Sequence, residues 1–150
     1  MISEIEKALY GNMQLPLIVY SVTNGQIRAE LVSDGLCKAA GLEQTAFLDI
    51  LNADMYTLVH PDDREWMKRS IDNLAHRLSS FDIIYRNASA YERDSYHFVH
   101  AIGSWQTMFD GSDMIIISYY NIKDPEGKLG RLFSYEDHTG SELIYRRLRA

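Results

Sequence analysis

Five histidines are the residues of this chain that most directly suggest chemistry, because an imidazole can bind a transition metal or move a proton. His97 and His100 lie three positions apart in a segment with the pattern of a β-strand. Since side chains alternate between the two faces of a strand, the two rings cannot share a metal without a bulge. We expect one of them to face a pocket. His100, which alternates with Phe98 and Ile102, is interpreted as a hydrogen-bonded core histidine or as a polar group in an apolar cavity.

The adjacent carboxylates of Asp62 and Asp63 suggest acid–base catalysis, but a simpler interpretation is available. They follow Pro61, which suits the first helical position, and acidic side chains are favoured beside the positive end of a helix. We therefore predict that both acids are helix caps, with His60 at the cap position. The sequence contains no G-x-S-x-G elbow, no phosphate-binding glycine loop and no H-E-x-x-H motif. These observations predict no catalytic residues and a protein that is not an enzyme.

Ten tyrosines and two tryptophans are the other notable feature, since several of them fall in predicted strands. Two interpretations stay open: the rings fill the core, or they line a cage around a small molecule. The candidate ligand-binding residues are Tyr20, Tyr85, Phe98, His100, Trp105 and Tyr119. No metal site is expected, and the sequence does not identify a cofactor.

Composition limits the partners of the chain. Its 150 residues include 21 acidic and 15 basic ones, and the net charge of -6 argues against nucleic acid as a partner. Cys37 is the single cysteine, which excludes an internal disulfide and favours a reducing, cytoplasmic setting. No apolar run approaches the roughly 18 residues that a membrane span requires, and the first residues lack the pattern of a signal peptide. We therefore expect no membrane contact by this chain.

The elements that must position these side chains begin with a short helix. Ser3 and Glu6 form the S-x-x-E pattern of a capping box, and Gly11 ends the segment. Because so short a helix is not stable alone, its apolar edge must dock on the domain or on a second copy of the chain. The residues of this edge, and the candidate dimer interface, are Ile2, Ile5 and Leu9.

A hairpin and several helices follow. Residues 15 to 33 are predicted to form a β-hairpin around Asn24-Gly25, a strong turn pair. A single helical turn closed by Gly41 and short helices up to residue 58 come next. A longer helix is predicted from Pro61 to Ser79, with an apolar stripe that repeats at helical spacing. This stripe consists of Met67, Ile71, Leu74 and Leu78.

Three strands complete the pattern, at residues 81 to 86, 96 to 108 and 114 to 122. The last strand is the most apolar, so we place it centrally in the sheet. Short connections predict antiparallel pairing, and the helices are grouped between the second and third strands. The fold class is therefore α+β, a five-stranded antiparallel sheet with helices covering one face and a short N-terminal helix in addition.

This order of elements, together with His60-Pro61-Asp62-Asp63-Arg64, resembles the PAS sensory domain family over about residues 12 to 122. Phe81 to Arg86 is similar to the f-x-x-x-Y-R strand of the family, and Tyr96 to Val99 is similar to its aromatic fourth strand. Asp110-Gly111 lies at the expected turn, and Asn121-Ile122 stands where many members have Asp-Ile-Thr. The resemblance implies a non-enzymatic sensory and signal-transduction module that dimerises and holds a small molecule under the long helix.

The resemblance also raises two cofactors. Some members bind haem through a histidine on the long helix, where this chain has His76. Its position about 180° from the centre of the stripe predicts that it faces solvent, which argues against haem. Light-sensing members carry a cysteine in an N-C-R-F-L-Q motif that is absent from this sequence. Cys37 lies outside such a motif, and we interpret it as a small buried apolar side chain.

Three segments are expected from these patterns. Residues 1 to 12 form a flanking helix, 13 to 122 the sensor domain, and 123 to 150 a connector toward an output domain. The stretch Glu136-Asp137-His138-Thr139-Gly140 is similar to the D-x-L-T-G entry of diguanylate cyclase domains, which suggests a bacterial signalling protein with such an output. Two alternatives stay open: a small α+β ligand-binding protein or enzyme with a cone-shaped pocket, and a ligand-free dimerisation scaffold.

Overall fold

A computed structural model describes residues 2–92 and 94–123 of the chain. Helix α1 (Glu4–Gly11) begins at the predicted capping box. The Glu6 N–H donates to Ser3 Oγ at 3.2 Å, and the Ser3 N–H donates to Glu6 Oε1 at 3.2 Å. Two of the backbone N–H groups that every helix start leaves without a helical partner are thus satisfied, which fixes where the helix begins.

Five strands form one antiparallel sheet, as the sequence predicts. Across the sheet their order is β2-β1-β5-β4-β3, so the apolar last strand is indeed central. Asn24 and Gly25 join the first two strands with positive φ angles of 53° and 78°, the backbone that an Asn-Gly hairpin turn requires. The strands are β1 (Leu17–Thr23), β2 (Gln26–Val32), β3 (Phe81–Ala88), β4 (Tyr96–Thr107) and β5 (Asp113–Ile122).

Three helices lie between β2 and β3 in the chain: α2 (Asp34–Ala40), α3 (Gln44–Ala53) and α4 (Arg64–Ala75). Residues Pro61–Asp63 form a 3₁₀ turn that leads into α4. The long helix therefore ends four residues before the predicted Ser79. Arg77 adopts a left-handed conformation with φ 58° just after the helix, which turns the chain away. Leu78 is consequently 75% exposed, and its prediction as a member of the buried stripe is wrong.

The sheet separates two apolar cores of unequal size. The larger lies between the sheet and helices α2 to α4, where Met67, Ile71 and Leu74 of α4 are buried as predicted. The smaller lies on the opposite face under α1. Its buried members are Ile2, Leu17, Val19, Leu31, Met108 and Met114. The helices that could roof a site thus cover one face, and α1 is packed on the other.

The apolar edge predicted for α1 divides between two environments. Ile2 is 7% exposed and docks in the smaller core. Ile5 and Leu9 are 70% and 51% exposed and point away from the domain. The three residues therefore do not form one continuous edge, because the chain before α1 runs onto the sheet while the outer side of the helix faces solvent.

Side chains from the helical cover satisfy one edge of the sheet. The Ala29 N–H donates to Asn52 Oδ1 at 2.9 Å, and Asn52 Nδ2 donates to the Ala29 carbonyl at 3.0 Å. Asn52 thus pairs with the outer side of β2 as a further strand would, and holds α3 against the sheet. At the opposite edge, Val59 forms an isolated bridge with Asn87. The helical cover is thus tied to the sheet at both edges, by an amide side chain at β2 and by backbone hydrogen bonds at β3.

No helix of residues 2–92 and 94–123 is long and apolar enough to cross a membrane. The predicted connector from residue 124 onward, including the stretch from Glu136 to Gly140, lies outside the described residues.

Candidate functional site

A cavity of about 320 Å³ lies between helices α2 to α4 and the inner face of the sheet. Its position follows from strand periodicity, because alternate residues of each strand point toward the helices. On β3, β4 and β5 these include Tyr85, Val99 and Tyr119, while Met67 and Ile71 of α4 form part of the opposite wall. The predicted location of the pocket, under the stripe of the long helix, matches this cavity.

Five of the described tyrosines line the cavity, and three of them, Tyr20, Tyr85 and Tyr119, come from the sheet and belong to the larger core or pack against it. The hydroxyl oxygens of Tyr20 and Tyr119 lie 2.7 Å apart and share a hydrogen bond. The residue Tyr85 is 4% exposed, and its hydroxyl has no hydrogen-bond partner within the described part of the chain. Burial raises the pKa of all three phenols, so each is protonated and able to donate at neutral pH.

One part of the cavity wall is polar. Asn87 and His97 lie opposite each other on β3 and β4, and Asn121 of β5 is also part of the wall. Burial lowers the pKa of His97, which favours the neutral imidazole. These groups offer both donors and acceptors without a fixed positive charge.

Tyr56 closes the cavity from the helical side. Burial raises its pKa to about 12, and the carboxylates of Asp72 and Asp54 add to this shift. The Lys68 ammonium lies 5.6 Å from the centre of the Tyr56 ring, on the scale of a cation–π contact. Tyr56, Asn87, His97 and Asn121 were not among the predicted site residues. Asn87 could have been predicted from Tyr85, because residues two positions apart on a strand point to the same face of the sheet.

Half of the six predicted ligand-binding residues lie on this cavity: Tyr20, Tyr85 and Tyr119. Phe98 and His100 do not, because they occupy the other face of β4 from His97 and Val99. His100 Nε2 instead lies 2.5 Å from Asp82 Oδ1 on β3. The expectation that His100 faces the pocket is therefore wrong, and His97 is the histidine at the cavity.

Trp105 faces the helices but lies beyond the cavity, at the end of α4. Its Nε1 donates to the Leu74 carbonyl at 2.8 Å, and the Arg77 guanidinium carbon lies 3.9 Å from its ring centre. This tryptophan thus covers one of the last carbonyls of the helix, and the stacked Arg77 occupies the left-handed position that ends it.

Asp62 and Asp63 both lie in the first turn of the 3₁₀ segment, as predicted, but the Asp63 side chain has a different role. His60 is the cap of the 3₁₀ turn, as expected, since its Nδ1 accepts from the Asp62 N–H at 3.1 Å. Asp63 makes no side-chain cap bond; it is fully buried and pairs with Arg86 of β3. The helix-cap interpretation of Asp63 is therefore wrong. The role of the Asp63 carboxylate is structural, because it joins the start of α4 to the edge strand β3.

Two further predicted positions lie away from the cavity wall. His76 is exposed, as predicted, and its Nδ1 lies 2.9 Å from the Asp72 carbonyl. Cys37 is partly buried against the larger core, and burial raises the pKa of its thiol. Both properties fit a packing role for Cys37. Within residues 2–92 and 94–123, no group of three or more metal-binding side chains is assembled.

Comparison with solved structures identifies the architecture. No protein-family model and no curated protein matches the sequence. The LOV protein of Rhodobacter sphaeroides is similar, with a TM-score of 0.61 and 10% identity over 93% of this chain and 77% of that one. The PAS domain of the fruit-fly ELK potassium channel has a TM-score of 0.60 and 12% identity, covering 78% and 94% of the two chains.

A third similar structure is the sensory box histidine kinase/response regulator from Burkholderia thailandensis. Its TM-score is 0.51 at 18% identity, and the match covers 89% of this chain and 95% of that one. Identities this low show a common fold and nothing further. The chain has the PAS domain fold, as its resemblance to that family predicts.

Proposed function

We propose that this chain is a sensory and signal-transduction module that binds a small molecule between helices α2 to α4 and the sheet. The observation that carries the proposal is the cavity of about 320 Å³ with the hydroxyl of Tyr85 in its wall, which has no hydrogen-bond partner among residues 2–92 and 94–123. Small-molecule sites are typically apolar cavities of about 300–1,000 Å³ with a few convergent polar groups. The PAS fold, found here and in a sensory histidine kinase, supports a sensing role.

The ionisable groups of the cavity support binding rather than catalysis. The three buried phenols are held in their protonated form, and His97 is favoured as the neutral imidazole. Asp54, the carboxylate of the wall, accepts a hydrogen bond from the Tyr56 N–H at 3.0 Å in an exposed loop. A hydrolytic or acid–base site needs a nucleophile, a base and an orienting group in mutual contact. We therefore propose that the module is not an enzyme.

Signal transfer is proposed to run through β5 and α1. Tyr119 of β5 lines the cavity, while Met114 of the same strand is buried in the smaller core beneath α1. Glu6 of α1 accepts a hydrogen bond from the Phe109 N–H at 2.8 Å, which ties the helix to the turn between β4 and β5. A ligand that favours one packing of β5 would shift the population of α1 arrangements.

Dimerisation through the outer side of α1 would convert such a shift into a signal. Ile5 and Leu9 are one helical turn apart, and both are exposed in the single subunit. Two neighbouring exposed apolar side chains of this kind could be buried against a second subunit. We propose residues 1–12 as this dimer element, 13–122 as the sensor and 123–150 as the connector to an output domain, such as a diguanylate cyclase. A cytoplasmic bacterial signalling protein would suit these parts and the single cysteine.

Native mass spectrometry of the protein purified directly from expressing cells tests ligand binding. We expect a non-covalent adduct that is released on denaturation. A Val99→Phe variant is the control, because its larger side chain enters the cavity and should abolish the adduct. A bare mass for the native protein, with no thermal stabilisation by any compound of a small-molecule collection, would favour the ligand-free scaffold instead.

A further inference from the structure

The described wall of the cavity restricts the chemistry of what it can hold. We propose that the site selects an uncharged ligand of aromatic shape with one hydrogen-bond acceptor placed at the Tyr85 hydroxyl, and that it rejects anions and cations. This inference rests on the proposed ligand-binding function and specifies its ligand class.

Shape and polarity give the first restriction. The wall is built mainly from aliphatic and aromatic side chains of both layers. Ile18, Phe81 and Val99 come from the sheet, and Phe47, Met67 and Ile71 come from the helices. All six are buried at 7% exposure or less, so the walls are fixed by close packing with the rest of the core. An apolar cavity between two closely packed layers suits a flat apolar ring system.

Charge gives the second restriction. Among the described residues of the wall there is no lysine or arginine, and the neutral form of His97 is favoured. An anion would lose its hydration without gaining a counter-charge, which is strongly unfavourable. A cation would find only Asp54, whose carboxylate lies in an exposed loop rather than in the buried part of the wall. An uncharged ligand avoids both costs.

The hydroxyls give the third restriction. Tyr20 and Tyr119 already bond to each other, whereas Tyr85 has no acceptor within the described part of the chain. No side-chain nitrogen or oxygen atom of the described residues is fully buried without a partner, so the Tyr85 hydroxyl must have access to the cavity space. A carbonyl or ether oxygen of a ligand would satisfy this hydroxyl. Because burial raises the pKa of Tyr85, the phenol is available as a donor throughout the physiological pH range.

Four naphthalene probes with similar-sized substituents at the same ring carbon test the three restrictions. The substituents are a methyl ketone, an isopropenyl group, a carboxylate and a protonated 1-aminoethyl group. Isothermal titration of the full chain should rank the ketone first, tighter than the isopropenyl hydrocarbon by about tenfold in Kd. The carboxylate and the ammonium probes should bind at least about a hundredfold more weakly than the ketone.

Tyr85→Phe is the decisive variant. Since the hydroxyl it removes has no described partner, the fold should be retained, and the ketone should lose its advantage while the hydrocarbon binds as before. Tyr10→Phe makes the same change beside the smaller core and should alter neither affinity. Equal or tighter binding of a charged probe, or an unchanged ketone preference in Tyr85→Phe, overturns the ligand class while leaving ligand binding intact. If none of the four probes binds, the inferred ligand class fails, while the native mass of the protein purified from cells decides separately whether the cavity binds a ligand.

Discussion

Arg86 and Asp63 form a two-point ion pair between the edge of the sheet and the start of α4. Arg86 Nη2 lies 2.7 Å from Asp63 Oδ1, and Arg86 Nε lies 3.0 Å from Oδ2. The Arg86 N–H also donates to Oδ2, at 2.9 Å. The Asp63 side chain is 0% exposed and that of Arg86 is 15% exposed. The pair thus holds the helix that roofs the cavity in a fixed position on β3.

We predict that Arg86→Ala destabilises the fold by about 3–5 kcal/mol, because it leaves a fully buried carboxylate without its counter-charge. Arg86→Lys should recover only part of this loss, since an ammonium cannot make the two-point contact. Urea unfolding measures both. Lys7→Ala is the control: its ion pair with Glu4 is largely exposed and should contribute less than about 1 kcal/mol. Equal losses in Arg86→Ala and Lys7→Ala would contradict a structural role for the buried pair.

The position of α1 is predicted to depend on pH through Glu6, which is 2% exposed. Burial alone would raise the pKa of its carboxyl, but hydrogen bonds from the Phe109 N–H and from Ser3 outweigh this and lower the pKa below its ordinary value. A lowered folded-state pKa means that the ionised group stabilises the fold fully above its ordinary pKa. This stabilisation disappears as the pH falls through the lower, folded-state value.

Glu6→Gln tests this linkage. The variant keeps an acceptor for one hydrogen bond but carries no charge, so its stability should fall less steeply with acid than that of the native chain. Urea unfolding at neutral pH and at about pH 3 measures the free energy of unfolding of both proteins. The difference between the native chain and Glu6→Gln should be smaller at the acid pH. Glu4→Gln changes an exposed acid of the same helix and should not alter the pH dependence. A constant difference between Glu6→Gln and the native chain would argue against the linkage.

Parts of this fold depend only on neighbouring residues, and these parts could be predicted from the sequence. The Asn24-Gly25 turn and the His60 cap each follow from residues within a few positions of one another. The partner of Asp63 could not be predicted in this way, because Arg86 is 23 positions away. A carboxylate at a helix start satisfies the same local pattern whether it caps the helix or reaches another element.

Which face of β4 meets the helices could not be predicted from the sequence, and this decides which β4 residues line the cavity. The larger residues Phe98 and Ile102 lie on the outer face, and the smaller Val99 and Gly103 lie on the inner face. The reason is the close approach of α4: a Cβ atom at Gly103 would lie 2.9 Å from Ile117 Cγ1 and 3.2 Å from Leu74 Cδ2. Small residues are therefore required under the helix, a condition that hydrophobicity alone does not reveal.

Gly35 is predicted to be essential for the placement of α2, whose residues form part of the cavity roof. A Cβ atom at this position would lie 1.8 Å from the backbone oxygen of Gln14, which cannot move aside as a side chain can. Gly35→Ala should therefore destabilise the fold by at least about 1–3 kcal/mol in thermal or urea unfolding. Gly11→Ala is the matched control, because its added methyl meets only Leu31 Cδ1 at 3.8 Å. Similar melting temperatures for the two variants would contradict the clash.

Self-association is predicted to depend on the outer side of α1. The double variant Ile5→Lys, Leu9→Lys should shift the sedimentation equilibrium toward monomer without unfolding the chain, since both side chains are exposed. Point substitutions are preferable to deletion of residues 1–12, which would also remove the buried Ile2 and Glu6. Leu78→Lys, at another exposed apolar position, is the control and should leave the profile unchanged. An unchanged profile in the double variant would exclude this surface as the dimer interface.

A larger side chain at Val99 is predicted to be tolerated better than one at Val19, because Val99 borders the cavity. Val99 and Val19 are both buried strand residues, at 4% and 0% exposure, but Val99 lines the cavity and Val19 packs in the smaller core. Val19→Phe should destabilise the fold by about 1–3 kcal/mol, because the larger ring must displace its neighbours. Val99→Phe should cost clearly less in urea unfolding, since its ring enters the cavity, and should abolish binding of the ketone probe. Equal destabilisation by the two substitutions would mean that no space for a larger side chain lies between β4 and the helices. Helices α2 to α4 would then be packed directly on the sheet and would not cover a ligand site.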